Sequence, residues 1–344
     1  MAVNDRLLKA CRREKADKIP VWFMRQVGRY LPEYRELRKK KGFMKLCKSP
    51  ELSAELTVLP VERFGVDAAI IFSDILIPLE ACGFEVRIGG EDEVVVGGIT
   101  SGSDLAKLSS YTKEVTWFVY ESIREAKRLL NHKTPLIGFA GAPFTLACYL
   151  VEGRISKSLA GVKHFIYSSE ALWGRIMESL ASIILSHVEG QLSAGADVIQ
   201  LFDTWAGVLS PADYSTYVLP YTRSLVSSIK KMGCFVIYHA TSSAGLLRLI
   251  RSTGADVIGL DWRVDIADAW STIGYDVGVQ GNLDPAKLLA SKRHIMVEAG
   301  DILAKVGYRA GYIFNLGHGI LPSTPVENVS VLVEYVHSYE GDAV

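Results

Sequence analysis

Short apolar runs rich in β-branched residues recur along the chain. Each is followed by a longer stretch in which apolar residues return every three or four positions. The short runs, read as strands, fall at 20–24, 68–72, 136–139, 198–202, 235–238, 257–260, 277–281 and 312–315. Helical periodicity covers 50–64, 115–130, 172–194, 211–231, 244–252, 285–305 and 324–339. Several of these open on start signals: Ser49–Pro50, Ser210–Pro211, Asp284–Pro285 and Thr324–Pro325. Strands that alternate with helices and read as apolar throughout are buried on both faces, which predicts a parallel α/β sheet. Eight such strands predict a single-domain (β/α)8 TIM barrel over residues 1–344, with segment 1–18 packed outside it. An open doubly wound sheet is the alternative, and no GxGxxG follows the first strand to support it.

One segment departs from this rhythm. Residues 84–100, FEVRIGGEDEVVVGGIT, alternate apolar and polar positions around Gly89 and Gly90. This predicts a β-hairpin inserted after strand two.

Composition narrows the class. Of the 344 residues, 49% are apolar and 22% charged, enough to bury a full core. The chain balances 38 basic against 38 acidic residues, whereas nucleic-acid binders carry a basic surplus, so no nucleic-acid partner is expected. Cys11, Cys47, Cys82, Cys148 and Cys234 are scattered and show no CxxC spacing. That fits a reducing compartment and neither a disulfide framework nor a zinc ribbon. The charged N-terminus lacks a signal-peptide core, and no apolar run reaches 18 residues. The expectation is a cytoplasmic protein that does not contact membranes.

A parallel barrel carries its active site at the C-terminal mouth. Just past the strands stand Arg25; Ser73 and Asp74; Gly141 and Ala142; Asp203 and Thr204; His239; Asp261; Asn282; and Gly317–His318–Gly319. Asp74, Asp203 and Thr204 also suit helix caps, and Asp261 and Asn282 are ordinary turn residues. Asp74 interrupts the apolar run AAIIFSDILIPLEACGF, where a charge needs a partner or a ligand. Glycines on both sides of His318 allow a ligand close to the backbone. Tyr149, in GAPFTLACYLVEG, suits a core helix as well as a site.

Positive charge is concentrated near the first strand. Residues 25–48 hold nine Lys and Arg against Glu33 and Glu36. Lys39, Lys40 and Lys41 read as a solvated helix face. Arg25 directly follows Val21, Trp22, Phe23 and Met24. A guanidinium at a strand end can grip a carboxylate through two hydrogen bonds, as a polyanionic ligand requires.

Two long segments, PVWFMRQVGRYLPEYRELR and GFAGAPFTLACYLVEG, resemble the uroporphyrinogen decarboxylase family of haem biosynthesis. The likeness continues through AAIIFSDIL, QLFDTWAG, VIYHA, QGNLDP and NLGHGI, in order over nearly the whole chain. It implies a (β/α)8 fold, a homodimer with facing clefts, and no cofactor or metal. The implied activity is loss of CO2 from the four acetates of uroporphyrinogen III, giving coproporphyrinogen III. It implies catalytic roles for Asp74, Arg25, Tyr149 and His318. It implies substrate binding by Arg25, Arg29, Asp74, Tyr149, Thr204 and His318; beside them Gln26, Arg38 and the apolar Phe72 are expected in the substrate-binding set. The family more often has Ser where Thr204 stands; the hydroxyl is retained. A related branch transfers methyl groups with zinc held by a His-x-Cys pair and a later Cys. Here the equivalent strand reads His239-Ala240-Thr241, and Cys234 precedes it, so the three converging ligands of a catalytic zinc are missing. The other alternative is a non-catalytic tetrapyrrole carrier.

Overall fold

The computed structural model describes residues 3–89, 94–99, 102–156 and 158–340. Its strands are β1 (Ala69–Ile70), β2 (Val86–Ile88), β3 (Val94–Val96), β4 (Leu136–Gly141), β5 (Val198–Asp203), β6 (Phe235–Ala240), β7 (Val257–Gly259), β8 (Gly278–Leu283) and β9 (Tyr312–Leu316). Seven of them pair in parallel in the order β1-β4-β5-β6-β7-β8-β9. β8 and β9 are buried along their whole length, which accounts for their lack of alternation. No helix among the described residues is long and apolar enough to cross a membrane.

The first expected strand, 20–24, is reduced to a single bridge, Val21 to Phe314. It still fills the eighth position between β9 and β1. Phe314 N–H donates to Pro20 O (2.8 Å), and Asp67 N–H donates to Val21 O (2.8 Å). Side chains replace the rest of the ladder. Val21 N–H donates to Asp67 Oδ2, Phe23 N–H to Gln26 Oε1, and Met24 N–H to Asn315 Oδ1. The second strand is short for the same reason, since Thr57 and Ser53 hydroxyls take the Phe72 backbone groups.

The hairpin forms as β2 against β3, with Val86 opposite Val96. Gly90, at its expected tip, lies outside the described residues. Val96 N–H and Ile99 N–H donate to Gly153 O and Leu150 O, so the hairpin docks on the end of helix Pro143–Glu152. Expected helices are divided, and 244–252 becomes a 3₁₀ turn, Ala244–Leu246, and helix Leu247–Arg251. The stretch 211–231 breaks at Val218 into Pro211–Tyr217 and Leu219–Lys231, because Pro220 has no N–H to continue the first helix. The stretch 285–305 becomes a 3₁₀ turn and helix Lys292–Val306, restarted by Ser291, whose hydroxyl accepts from His294 N–H.

Asp67 joins both ends of the chain beneath the sheet. Its side chain is 1% exposed and accepts from Asn4 Nδ2, Arg6 Nη1, Val21 N and His337 Nε2. Asp67→Ala leaves those donors unpaired, and breaking a buried ion pair from one side typically costs about 3–5 kcal/mol. Denaturant unfolding of that variant should show a loss of this order, and a loss below about 1 kcal/mol would mean that the cluster is idle.

Candidate active site

The chain between 20 and 41 supplies the mouth with cations. Arg25 adopts φ 58, a left-handed conformation that non-glycine residues seldom take. Gln26 is fully buried: its Oε1 accepts from Phe23 N–H (3.1 Å) and its Nε2 donates to Ala68 O (3.1 Å). Its amide is thus committed to folding the turn that carries Arg25. A Cβ on Gly28 would lie 2.9 Å from Arg25 O, so the turn has no room for a larger residue there. Arg29 is half-buried, and Arg35 Nη1 donates to the carbonyls of Arg29 and Tyr30. Arg38, on helix Pro32–Lys41, lies 5.4 Å over the Phe43 ring. Phe43 and Tyr34 both pack edge-on against Phe72, which is 8% exposed.

Asp74 follows β1 and is half-buried, not enclosed as the surrounding apolar run suggests. Its Oδ1 accepts from Leu76 N–H (2.8 Å), an Asx-type turn that fixes the carboxylate at the strand exit. Tyr149 lies within electrostatic reach. Its phenol is pushed up to about 12, first by burial and next by the Asp74 carboxylate. The Trp205 N–H approaches the phenol oxygen and opposes this, as does Arg25; the indole nitrogen is buried with no closer partner among the described residues. Asp74, Arg25 and Tyr149 therefore share one field, although they lie 49 to 124 positions apart in the chain.

Thr204 is half-buried beside a network that fixes its surroundings. Asp203 is fully buried, and burial pushes its carboxyl up to about 6. It accepts from Tyr238 Oη (2.5 Å) and Thr145 Oγ1 (2.8 Å), and Tyr214 Oη lies 3.0 Å from Tyr238 Oη. Trp205 N–H reaches Thr145 Oγ1 at 3.4 Å. Asp203 thereby ties the helix that bears Tyr149 to the end of β5, instead of capping a helix.

After β9, Gly317 and Gly319 have separate steric reasons. A Cβ on Gly317 would fall 2.3 Å from Trp262 N, and one on Gly319 would fall 2.5 Å from Arg25 Cδ. His318 is thus held between the Trp262 backbone and the Arg25 side chain. Its ring packs edge-on to Trp262, and its Nδ1 accepts from Gly319 N–H (2.6 Å). Burial, then Arg25 and Arg263, lowers its pKa to about 4. The ring is neutral near pH 7 with its proton on Nε2, which leaves that nitrogen as a donor. His239 is buried with Nδ1 unpartnered among the described residues. Asn282 donates to Asp261 O and Val264 O, and Asp261 accepts from Ser242 and Arg263 N–H groups, so both hold loops together. Cys234 precedes β6, at the end away from the mouth, and all five cysteines are buried and free. Among the described residues no three His, Cys, Asp or Glu side chains form a metal-binding group. Reading one residue past each strand missed Trp205, Trp262 and Arg263; the last lies two positions beyond the Asp261 exit.

The buried imidazoles set a pH dependence. His187 and His318 fall to about 4 and His239 to about 3, each mainly through burial. The unfolded chain therefore takes up these protons near pH 6.5 and the folded chain only well below it, so stability is lost as pH falls from 6.5. Asp203 has the opposite sign, because its raised carboxyl destabilises as pH rises from 3.8 to about 6. Three groups outweigh one: the thermal midpoint should drop between pH 7 and pH 5, and His187→Gln should shrink that drop. An unchanged drop in that variant would remove His187 from the cause.

A family model described as uroporphyrinogen decarboxylase matches residues 2–339. The uroporphyrinogen decarboxylase of Chloroflexus aurantiacus is 48% identical over 343 residues, covering 98% of this chain and 96% of that protein. The chain belongs to the uroporphyrinogen decarboxylase family. The decarboxylase of Myxococcus xanthus is 46% identical over 338 residues, covering 98% and 97% of the two chains. A solved methyltransferase from Methanosarcina mazei superposes with a TM-score of 0.79 at 22% identity, covering 98% of each chain, which shows a shared fold. The TIM-like barrel of the uroporphyrinogen decarboxylase family is therefore the frame on which Arg25, Asp74, Tyr149, Thr204 and His318 are set.

Proposed function

We propose that this chain decarboxylates the four acetates of uroporphyrinogen III to methyls without a cofactor. The observation that carries this reading is a carboxylate, Asp74, fixed at the barrel mouth in the shared field of Arg25 and Tyr149. Breaking the bond to the carboxyl leaves an electron pair on the side-chain methylene, and the pyrrole must receive it. Protonation of the ring carbon next to the acetate creates a cationic, iminium-like ring. The C–C bond then breaks, CO2 leaves, and the pair neutralises the ring. The methylene gains a proton as the ring carbon gives one up, so one proton is consumed per CO2.

Asp74 stabilises the cation by accepting hydrogen bonds from pyrrole N–H groups at the centre of the macrocycle, where it serves every ring alike. Its Oδ1 accepts from Leu76 N–H, which holds the carboxylate at the strand exit. Arg25, Arg29 and Arg38 anchor carboxylates. Arg25 also orients the proton source, since a guanidinium holds its own proton too tightly to be an effective acid. Tyr149, with its pKa near 12, Thr204 and the His318 Nε2–H donate to further carboxylates. Phe72 provides an apolar wall, and Gln26 acts by holding the Arg25 turn. The whole chain works as one barrel unit, paired with a second copy.

The test is CO2 release from anaerobically reduced uroporphyrinogen with no added cofactor. Four CO2 per substrate are expected. Binding without CO2 would leave a tetrapyrrole carrier in place of an enzyme.

A further inference from the structure

The cations so far assigned to carboxylates all come from residues 25–38, at one position of the barrel. A ligand with carboxylates around its whole rim presents negative charge to the other strand exits as well. Another guanidinium stands after β7, three positions around the ring. Arg263 is stacked 3.9 Å from the Trp262 ring centroid, and that ring packs edge-on to His318 at 6.4 Å. Its Nη1 donates to Asp261 Oδ2 (3.0 Å), and its backbone N–H donates to Asp261 Oδ1 (2.8 Å). The Asp261 side chain is 1% exposed and that of Arg263 is 46% exposed, so the counter-charge lies inside and the cation outside. A guanidinium has five N–H groups. One held by a buried carboxylate and laid on an indole loses little freedom on gripping a second anion. The Arg25 side chain packs on Gly319 and the Asp261–Trp262 backbone on Gly317, while the Trp262 ring stands between the Arg263 guanidinium and the His318 ring. Both guanidiniums lower its basicity.

We propose that Arg263 is a further substrate-binding residue that holds a propionate carboxylate of the tetrapyrrole at the rim of the mouth. This rests on the decarboxylase reading above. The choice of propionate follows from the reaction itself. Each acetate must in turn approach the reacting centre and is then lost, so a clamp on an acetate would lose its ligand as turnover proceeds. The propionates survive all four steps, so whichever ring is at the reacting centre, the clamp still has a carboxylate to hold.

Arg263→Gln should raise KM for uroporphyrinogen roughly tenfold, the scale of one charge-assisted hydrogen bond. kcat should fall no more than about twofold. Arg263→Lys, which keeps the charge and loses the planar fork, should fall between the two and also serves if the Gln variant does not fold. Calorimetric binding of anaerobically reduced coproporphyrinogen, which retains the propionates and is not turned over, should weaken by the same factor as KM. KM and product affinity within twofold of wild type would overturn the assignment and leave Arg263 as a partner of Asp261 and Trp262 only. Weakened substrate with unweakened product would overturn the propionate choice. A wild-type protein that binds coproporphyrinogen in an Arg263-dependent way but releases no CO2 would sink the decarboxylase reading alone.

Discussion

Asp74→Asn should lower turnover by at least roughly 10²-fold, the scale expected when one preorganised electrostatic stabiliser is removed from an active site. The substitution is close to isosteric. The amide oxygen can still accept the Leu76 N–H that fixes the turn, so the strand exit keeps its shape. What disappears is the negative charge opposite the cationic ring. Asp74 is half-buried, so part of its field is screened by solvent. A bound macrocycle excludes that water and strengthens the interaction during reaction. KM should change far less than kcat, because the ring is neutral until it is protonated. Steady-state rates on reduced uroporphyrinogen measure this directly. Near-normal turnover in the variant would remove the carboxylate from the chemistry.

Arg25→Ala should reduce kcat/KM roughly 10²-fold, whereas Lys40→Ala should leave it within about twofold. Each charge-assisted hydrogen bond contributes about 1.5–3 kcal/mol, and a guanidinium that grips a carboxylate in two places contributes at the upper end. Arg25 is also tied to the rest of the mouth: it packs on Gly319 and acts on both Tyr149 and His318. Its loss alters three groups as well as one bond. Lys40 sits on the exposed face of helix Pro32–Lys41, where a mobile charge is screened within a Debye length. Parallel kinetics on the two variants separate a specific clamp from a diffuse positive field. Equal losses would favour the field.

The parallel sheet was legible because buried parallel strands are apolar on both faces, as β8 and β9 show. The first strand was less so. Its sequence is strand-like, but Asp67, Gln26 and Asn315 side chains take the N–H groups that a ladder would use, and such partners lie up to 291 positions away. The break at Val218 follows from Pro220, a local signal that helical periodicity alone overrides. At the mouth, Arg25 and Asp74 stood out as charges at the ends of apolar runs, and His318 as a polar residue between two glycines. Arg263 and Trp205 did not stand out, since their place depends on how loops after β7 and β5 fold back. Gln26 illustrates the converse: a polar residue within the basic motif, it is consumed by its own turn.

The most direct measurement is an anaerobic crystal structure with coproporphyrinogen bound. An Asp74 carboxylate oxygen should lie within about 2.7–3.2 Å of pyrrole nitrogens at the centre of the macrocycle. A carboxylate turned away from those nitrogens, with the ring centre facing another group, would contradict the mechanism.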